Sequence, residues 1–303
     1  MSRPLTVHET PIPGLLVVDL PLHGDDRGWF KENWQRETML AAGLPDFGPV
    51  QNNISFNQAV GVTRGIHAEP WDKYVSVATG RVFGAWVALR EGPTFGTAYW
   101  HEITPEVAIF VPRGVGNAFQ TLEAPAAYTY LVNDHWSADA QSRYTFVNLA
   151  DETVAIPWPI PLEEAELSAK DLAHPRLAEV VPVPPRRTLV VGANGQLGRA
   201  LGDLWAGRGD VDLVGRDQLD LADSGSVAGF DFSPYGTIVN AAAYTAVDTA
   251  ESADGRAAAW AVNVDGTARL VEAARTHRAV LVHVSSDYVF DGTVEVHTED
   301  EPL

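Results

Sequence analysis

The stretch from Thr188 to Gly198, TLVVGANGQLG, constrains this chain more than any other. It predicts a buried β-strand, a glycine turn and a helix in direct succession. Gly192, Gly195 and Gly198 fit a Gly-x-x-Gly-x-x-Gly form of the dinucleotide-binding turn, in which missing side chains let a pyrophosphate approach backbone N–H groups at a helix N-terminus. An ordinary strand-to-helix turn gives the same glycines, so the motif needs support elsewhere. The stretch separates a first module, which precedes it, from a second module, which begins with it.

Composition limits the partners of this chain. Its 303 residues suffice for two domains, and a hydrophobic content of 46% gives each a core. A net charge of -19 argues against nucleic-acid and membrane partners. The chain has no cysteine and no hydrophobic N-terminal signal stretch, so we expect a soluble cytoplasmic protein without disulfides.

The first module, predicted as residues 1–172, has short strand patterns separated by glycine and proline turns, with a helix only at Arg36–Ala42. The predicted strands are Leu15–Leu20, Trp29–Trp34, Val50–Phe56, Val62–His67, Tyr74–Ala78, Val82–Leu89, Ala98–Ile103, Ala108–Val111, Ala118–Leu122 and Tyr128–Val132. Many short strands at near-even spacing predict an all-β jelly roll, whose mouth often holds a small-molecule site.

Polar residues within these strands indicate a site. Arg64, His67 and Lys73 lie within ten residues of one another, and each taken alone is better interpreted as a solvent-facing side chain. Together with Asp26–Gly28 and Gln51–Asn53 they form a polar set that a barrel interior would need a ligand to satisfy.

Five motifs make this module resemble the dTDP-4-dehydrorhamnose 3,5-epimerase family. They are DRGWFKE from Asp26, QNNIS from Gln51, GVTRGIH from Gly61, PTFG from Pro93 and LSAKD from Leu167. The resemblance implies a cupin-like jelly roll, a homodimer, and inversion of the carbons beside the 4-keto group of a dTDP-6-deoxy-hexosulose. Such chemistry needs a base at carbon and cations to hold the enolate oxygen.

The resemblance also implies residue roles. His67 would be the base, Asp171 the carboxylate that orients its ring, and Lys73 the enolate-stabilising cation. The implied substrate-binding residues are Arg27, Glu32, Gln51, Asn53, Arg64, Asn117 and Trp136.

Two positions depart from the family pattern. Trp136 stands where the family usually has a proton-donating tyrosine, and indole is no practical acid or base. His135, Tyr128, Tyr130, Tyr144 or a water would have to replace it, or one inversion is lost. Asn117 stands where the family often has histidine. The metal-ligand positions of other cupins hold His67, Glu69 and Asn117 here. One histidine and one carboxylate are a poor ligand set for iron or zinc, so no metal cofactor is expected.

Residues 173–187 are rich in proline and predict a stiff linker, and residues 188–303 predict a doubly wound α/β domain of the Rossmann type. Its predicted strands and helices are Thr188–Val191, Gln196–Ala206, Val211–Val214, Ser224–Phe230, Thr237–Asn240, Ala257–Thr276 and Val280–Val284.

Five features make the second module resemble the dTDP-4-dehydrorhamnose reductase family. They are the glycine turn, NAAAYTAVD from Asn240, AES from Ala250, Asn263, and SSDYVFDG from Ser285. The resemblance implies that Ser286 contacts the substrate carbonyl. The implied cofactor-binding residues are Gly192, Asn194, Gly195, Gln196, Leu197, Gly198, Arg216, Ala241, Ala242 and Ala243. Arg216 suggests NADP(H), while Asp217 beside it keeps NAD(H) open.

The family's catalytic tyrosine and the lysine four residues after it have no counterpart here, because Lys170 is the last lysine. We therefore expect a C-terminally incomplete copy of an epimerase–reductase fusion in dTDP-L-rhamnose or related deoxysugar synthesis. The alternative is a sugar-nucleotide-binding protein without turnover.

Overall fold

The computed structural model describes residues 4–137, 139–286, 289–290, 293, 296 and 298. The chain divides into two compact units, Met1–Pro184 and Pro185–Leu303. Among the helices in the described ranges, none has the length and apolar character needed to cross a membrane.

The first unit is mainly β-structure, with two short helices, α1 (Arg36–Ala41) and α2 (Ala169–Leu172). Its strands are β1 (Thr6–Glu9), β2 (Leu16–Asp19), β3 (His23–Asp25), β4 (Gly28–Phe30), β5 (Gln51–Asn57), β6 (Thr63–Ala68), β7 (Lys73–Ala88), β8 (Ala98–Ile103), β9 (Val107–Val111), β10 (Val115–Val132) and β11 (Thr145–Phe146). Nine of them form one sheet in the order β1-β2-β9-β7-β10-β6-β11, with β5 on β10 and β8 on β7, while β3 and β4 form a separate hairpin.

The long strands β7 and β10 organise this sheet. They pair with each other in antiparallel register from Ala88 opposite Val115 to Lys73 opposite Val132. The other edge of β7 pairs first with β9 and then with β8, and the other edge of β10 pairs first with β6 and then with β5. The two strands therefore carry side chains into both halves of the unit.

Sequence patterns predicted two strands in two places where the structure has one. Tyr74–Ala78 and Val82–Leu89 overlap the single strand β7, and Ala118–Leu122 and Tyr128–Val132 lie within β10. The residues between them bend the strands without ending them, because the ladder shifts register between Thr121 and Tyr128. Gly80 makes the close approach possible: at φ +79, an added Cβ would lie 2.6 Å from the carbonyl oxygen of Glu123.

The predicted strand Trp29–Trp34 is wrong beyond Phe30, where β4 ends. The segment after Phe30 is held by a side chain and not by the hydrogen bonds of a strand ladder. The Lys31 ammonium donates to the carbonyl oxygens of Val77 and Pro105, both at 3.0 Å.

The main core of the first unit lies beneath β7, β9 and β10. Val75, Trp86 and Ile109 are fully buried there, and Phe119 and Tyr128 stack at 4.2 Å between ring centroids. Burying a large apolar side chain contributes about 1.5–3 kcal/mol, so this cluster holds β7 and β10 in place against the other strands.

Part of the predicted linker 173–187 packs on the first unit. Val183 donates its backbone N–H to Leu89 at 2.7 Å and accepts from the N–H of Glu91 at 2.8 Å. Leu177 is buried in the core that includes Leu149 and Ile156. The segment is therefore held by the first unit at least as far as Val183.

The second unit alternates strands and helices. Its elements are β12 (Arg187–Val191), α3 (Gln196–Leu204), β13 (Val211–Val214), α4 (Ser224–Gly229), β14 (Tyr235–Asn240), α5 (Val247–Ala250), α6 (Ala253–Trp260), a π-helical turn (Ala261–Gly266), α7 (Thr267–His277) and β15 (Val280–His283). The sheet has the order β13-β12-β14-β15 with every pair parallel. Leu270 and Ala274 of α7 pack on Leu189 and Ile238 of the sheet. The carboxyl ends of these strands lie at one edge, where ligands bind in open parallel sheets.

Candidate active site

A polar cavity of about 190 Å³ lies among the strands of the first unit. Its lining comes from β5, β6, β7 and β10 and from the loop after β6. The lining residues are Ser55, Arg64, Gly65, His67, Glu69, Lys73, Asn117, Phe119, Tyr128 and Tyr130. The structure thus brings together four residues of the predicted site: Arg64, His67, Lys73 and Asn117.

His67 and Asp171 form the central pair of the site. His67 stands on β6 opposite Asn117, and its Nε2 lies 2.9 Å from Oδ1 of Asp171 in α2. The Ser168 hydroxyl caps this helix by accepting the N–H of Asp171 at 3.0 Å, which orients the carboxylate. Burial alone would raise the pKa of Asp171, but the hydrogen bond and charge of His67 outweigh it and lower that pKa. An ionised carboxylate only accepts hydrogen bonds, so Nε2 of His67 carries a proton and Nδ1 is the nitrogen that can accept one when the ring is neutral.

Lys73 and Glu69 form a second buried pair at the cavity. The side chain of Lys73 is 4% exposed, and its ammonium contacts Oε2 of Glu69. Burial lowers the pKa of Lys73 to about 7. Sequence reasoning considered Glu69 only as a metal ligand and missed it as the partner of Lys73. The spacing of four residues across the loop between β6 and β7 was the available signal.

Asn117 supports the tyrosine side of the cavity. Its Oδ1 accepts the hydroxyl of Tyr128 at 3.0 Å and the indole N–H of Trp86 at 2.9 Å. Burial raises the pKa of Tyr128, and burial also raises the pKa of Tyr130. Both phenols therefore stay protonated at neutral pH, and the hydroxyl hydrogen of Tyr128 is donated to Asn117.

Other predicted substrate-binding residues do not line the cavity of the single chain. Arg27 and Glu32 are exposed, and the guanidinium of Arg27 pairs with Asp25. Gln51 and Asn53 hydrogen-bond to each other at 2.8 Å on β5.

Trp136 also lies outside this lining. Its side chain is 59% exposed, and its backbone N–H donates to Oε1 of Gln51 at 3.2 Å. The tyrosines that line the cavity are Tyr128 and Tyr130, which were among the substitutes considered for the tyrosine missing at position 136.

The glycine turn of the second unit follows β12 directly. Gly192 has φ +88, and a Cβ there would lie 2.6 Å from the backbone nitrogen of Ala242. A Cβ on Gly198 would lie 2.2 Å from the carbonyl oxygen of Gly192. Gly195 is the N-cap of α3, so Gln196 and Leu197 open the helix with backbone N–H groups directed out of its N-terminus. This arrangement suits a phosphate group.

The other predicted cofactor residues surround this turn. Ala241, Ala242 and Ala243 follow β14, and the side chain of Asn194 lies beside Gly215. Arg216 follows β13, with a side chain 79% exposed and Nε 3.0 Å from Oδ2 of Asp220.

Two predicted motifs of the reductase type lie near the same sheet edge. Asn263, in the π-helical turn, hydrogen-bonds to the backbone N–H and carbonyl of Tyr244, at 2.8 and 3.1 Å, and so fixes the loop after β14. Ser286 follows β15 and is exposed. Four residues of the motif that begins at Ser285 lie outside the described residues, namely Asp287, Tyr288, Asp291 and Gly292.

A half-buried imidazole that lines a cavity of a β-sheet unit, a buried carboxylate behind it and a buried lysine beside it are typical of acid–base enzymes. The family model described as dTDP-4-dehydrorhamnose 3,5-epimerase matches residues 9–179, and the one described as RmlD substrate binding domain matches residues 186–303. The chain therefore belongs to the dTDP-4-dehydrorhamnose 3,5-epimerase family, with an RmlD-type domain after its epimerase-type domain.

Similar proteins match each part. A curated RmlC homolog from Streptococcus pyogenes is 51% identical over 191 residues, which cover 61% of this chain and 96% of that protein. The crystal structure of RmlC from Streptococcus suis in complex with dTDP-D-xylose is 51% identical, with a TM-score of 0.58, and the match covers 61% of this chain and 97% of that one. The first unit thus has cupin-like structural neighbours.

For the second unit, a dTDP-4-dehydrorhamnose reductase from Aggregatibacter actinomycetemcomitans is 44% identical over 110 residues. The match covers 35% of this chain and 36% of that protein. The chain therefore spans little more than a third of that reductase's length.

Proposed function

We propose that the first unit is a dTDP-4-dehydro-6-deoxy-sugar epimerase that inverts one or both carbons beside the 4-keto group. The observation that carries the proposal is the hydrogen bond of 2.9 Å between His67 and Asp171 in a cavity that also holds Lys73. A base and a cation in one partly enclosed site are what abstraction of a proton beside a ketone requires.

The proposed mechanism begins at Nδ1 of His67. This nitrogen takes the proton from the carbon beside the ketone, and the electron pair moves onto the carbonyl oxygen as an enolate. Asp171 holds the ring in the required tautomer and stabilises the imidazolium that forms. The ammonium of Lys73 stabilises the enolate oxygen, and Arg64 at the cavity edge binds the anionic part of the substrate.

Inversion needs a proton returned from the opposite face of the sugar. Tyr128 and Tyr130 line the cavity with phenols that burial keeps protonated, whereas Trp136 offers no acidic group. We propose that one of these tyrosines donates this proton, and that inversion is slower or confined to one carbon. Trp136→Tyr is then expected to broaden it.

We also propose a specific fold for each unit. The strand pairing of the first unit supports a cupin jelly roll, and the parallel sheet of the second supports a doubly wound Rossmann-type domain. We further propose that the chain divides into residues 1–172, 173–187 and 188–303. The protein is proposed to form a homodimer through the cupin domain and to be cytoplasmic. We propose that five further residues complete the substrate site: Arg27, Glu32, Gln51, Asn53 and Trp136.

The second unit is proposed to bind NADP(H), with NAD(H) as the alternative. Gly192 lets the turn pack against the backbone of Ala242, and Gly195, Gln196, Leu197 and Gly198 would hold a pyrophosphate with the N-terminus of α3. Arg216 contacts Asp220 only through Nε, so its two terminal NH2 groups would be the donors to a 2′-phosphate. Such a cofactor supplies a hydride, and Ser286 would contact the carbonyl that receives it.

Deuterium exchange tests the epimerase. A dTDP-4-keto-6-deoxy sugar incubated with the protein in D2O without NADPH should gain deuterium beside the ketone, and His67→Ala should abolish the gain. The matched control is His101→Ala, which removes another half-buried histidine, on β8. Exchange by His67→Ala at the original rate would refute the site, and absence of exchange by the unmutated protein would favour the non-catalytic alternative.

A further inference from the structure

Asp171 has a second imidazole neighbour that the epimerase mechanism does not use. Nε2 of His174 lies 3.9 Å from Oδ1 of Asp171, the same oxygen that His67 contacts. The rings of His67 and His174 are 5.2 Å apart between centroids and meet at 77°. Three potential ligands therefore lie close together, and one of them, His67, lines the cavity.

His174 is buried beside Asp171 and the backbone of Gly65. Its side chain is 6% exposed, and among the described residues its ring nitrogens make no well-aligned hydrogen bond, although the Gly65 backbone is near enough to act on the pKa of the ring. Phe146 stacks on the imidazole at 4.6 Å and fixes its plane. A buried polar group of this kind costs about 1–3 kcal/mol when it stays unpaired, so its position calls for a ligand.

Metal coordination needs an imidazole nitrogen with a free lone pair, so protons compete with a metal ion for His174. Lys170 is the cation nearby that opposes binding, with its ammonium 5.8 Å from the ring centroid of Phe146.

We infer that His67, Asp171 and His174 form a binding site for a divalent transition-metal ion such as Zn²⁺, and that the ion inhibits the epimerase. One donor atom from each residue lies within 4.8 Å of the others. Zinc needs ligands at about 2.0–2.2 Å, so small side-chain rotations bring all three onto one ion. Two imidazoles and one carboxylate leave the fourth position for water, and the set favours zinc over Mg²⁺, which prefers oxygen ligands.

Inhibition follows from the tautomer of His67. In the metal-free pair, Nε2 donates its proton to Asp171 and Nδ1 is the base. A metal ion on Nε2 requires a lone pair there, so the ring's proton moves to Nδ1. The base then carries a proton and cannot accept one from the sugar. This step rests on the proposed function, whereas metal binding does not.

The test uses the whole 303-residue chain and Zn²⁺ alone. Calorimetry should show zinc binding with no comparable response to Mg²⁺, and zinc should stop deuterium exchange until a chelator restores it. His174→Phe keeps an aromatic ring, and His174→Gln keeps a polar side chain. Both should retain exchange without zinc but need at least about 10-fold more zinc for binding and inhibition. His101→Phe is the matched control and should respond as the unmutated protein does.

The two proposals fail separately. No calorimetric binding of zinc by the unmutated protein, or an unchanged zinc affinity in either His174 variant, overturns the metal site even if exchange proceeds normally. Absence of exchange without zinc overturns the epimerase, and calorimetry still decides the metal site. Zinc binding without loss of exchange overturns the inhibition. As a measurement that needs no variant, zinc should shift the imidazole NMR signals of both His67 and His174, and a shift confined to other histidines contradicts the site.

Discussion

Asp171 is proposed to hold the catalytic base through a charge as well as a hydrogen bond. Replacing it with asparagine keeps the shape of the side chain but removes the charge that stabilises the imidazolium. Because an amide can also donate to Nε2 and favour the wrong tautomer, Asp171→Asn should slow deuterium exchange by about 100-fold or more. Kinetics in D2O measure this loss.

The control for Asp171→Asn is Ser168→Ala, which removes only the hydroxyl that caps α2. It should weaken the positioning of Asp171 and cost far less activity. Equal rates for Asp171→Asn and the unmutated protein would contradict the role of the carboxylate.

Glu69 should set the pH at which Lys73 loses its charge. Burial lowers the pKa of Lys73 to about 7, so the ammonium that we propose stabilises the enolate disappears as the pH rises through that value. The carboxylate of Glu69 favours the charged form, and its removal should lower this pKa further. In Glu69→Gln the fall in exchange rate on the alkaline side should therefore begin at lower pH. A pH–rate profile measures the shift.

Glu102→Gln is the matched control for this profile, because Glu102 is an exposed carboxylate that pairs with Arg81 on the outside of the sheet. It should leave the profile unchanged. Superimposable profiles for Glu69→Gln and the unmutated protein would show that Glu69 does not support the charge of Lys73.

The sequence predicted the site residues unevenly. Family motifs pointed to His67, Lys73 and Asp171, and the structure brings His67 and Asp171 together although 104 positions separate them. The same motifs gave no signal for His174, because its meaning depends on the fold of the segment after α2. The Lys73–Glu69 pair was missed because both groups are ordinary surface residues until a barrel buries them.

At the scale of elements, the turn after β12 gives a sharp prediction. Gly192→Ala places a Cβ 2.6 Å from the backbone of Ala242 at φ +88, so it should destabilise the second unit and weaken NADP(H) binding. The matched control is Gly207→Ala, which has φ +82 but open space around its Cβ. Backbone strain alone costs about 1–2 kcal/mol, so the control should lose that much and keep cofactor affinity.

Urea unfolding and calorimetry with NADPH separate the two effects of the glycine substitutions. Gly192→Ala should have a lower unfolding midpoint than Gly207→Ala. If both variants unfold alike and bind NADPH alike, the turn does not approach a ligand as proposed.

Elements with a clear period were predicted well, and those that bend were not. The prediction for β13 was correct at both ends, and β12, β14 and β15 differ from their predictions only at the ends, because buried parallel strands are continuous apolar runs. The breaks predicted in β7 and β10 were wrong, because Gly80 and Pro125 are turn signals in isolation but bend residues within paired strands. Pairing over such distances depends on the whole sheet and not on a local pattern.

At the scale of the whole molecule, the apolar face along β5 predicts a dimer. Val50, Ile54 and Phe56 are 49%, 68% and 56% exposed, and β5 pairs with β10 along one edge. A row of exposed apolar side chains on an edge strand is a surface that proteins normally cover. A second copy of the first unit is the partner that the proposed homodimer supplies.

Sedimentation velocity tests this dimer. The unmutated protein should sediment at twice the 32.7 kDa mass of one chain, and Ile54→Asp with Phe56→Asp should shift it toward the monomer, because a buried unpaired carboxylate is costly. Val181→Asp is the matched control, since Val181 is 82% exposed and lies outside β5. A dimer that survives the double substitution would place the interface elsewhere. Sedimentation of the unmutated protein as a monomer would mean that Arg27 and Trp136 have no partner subunit whose site they could complete.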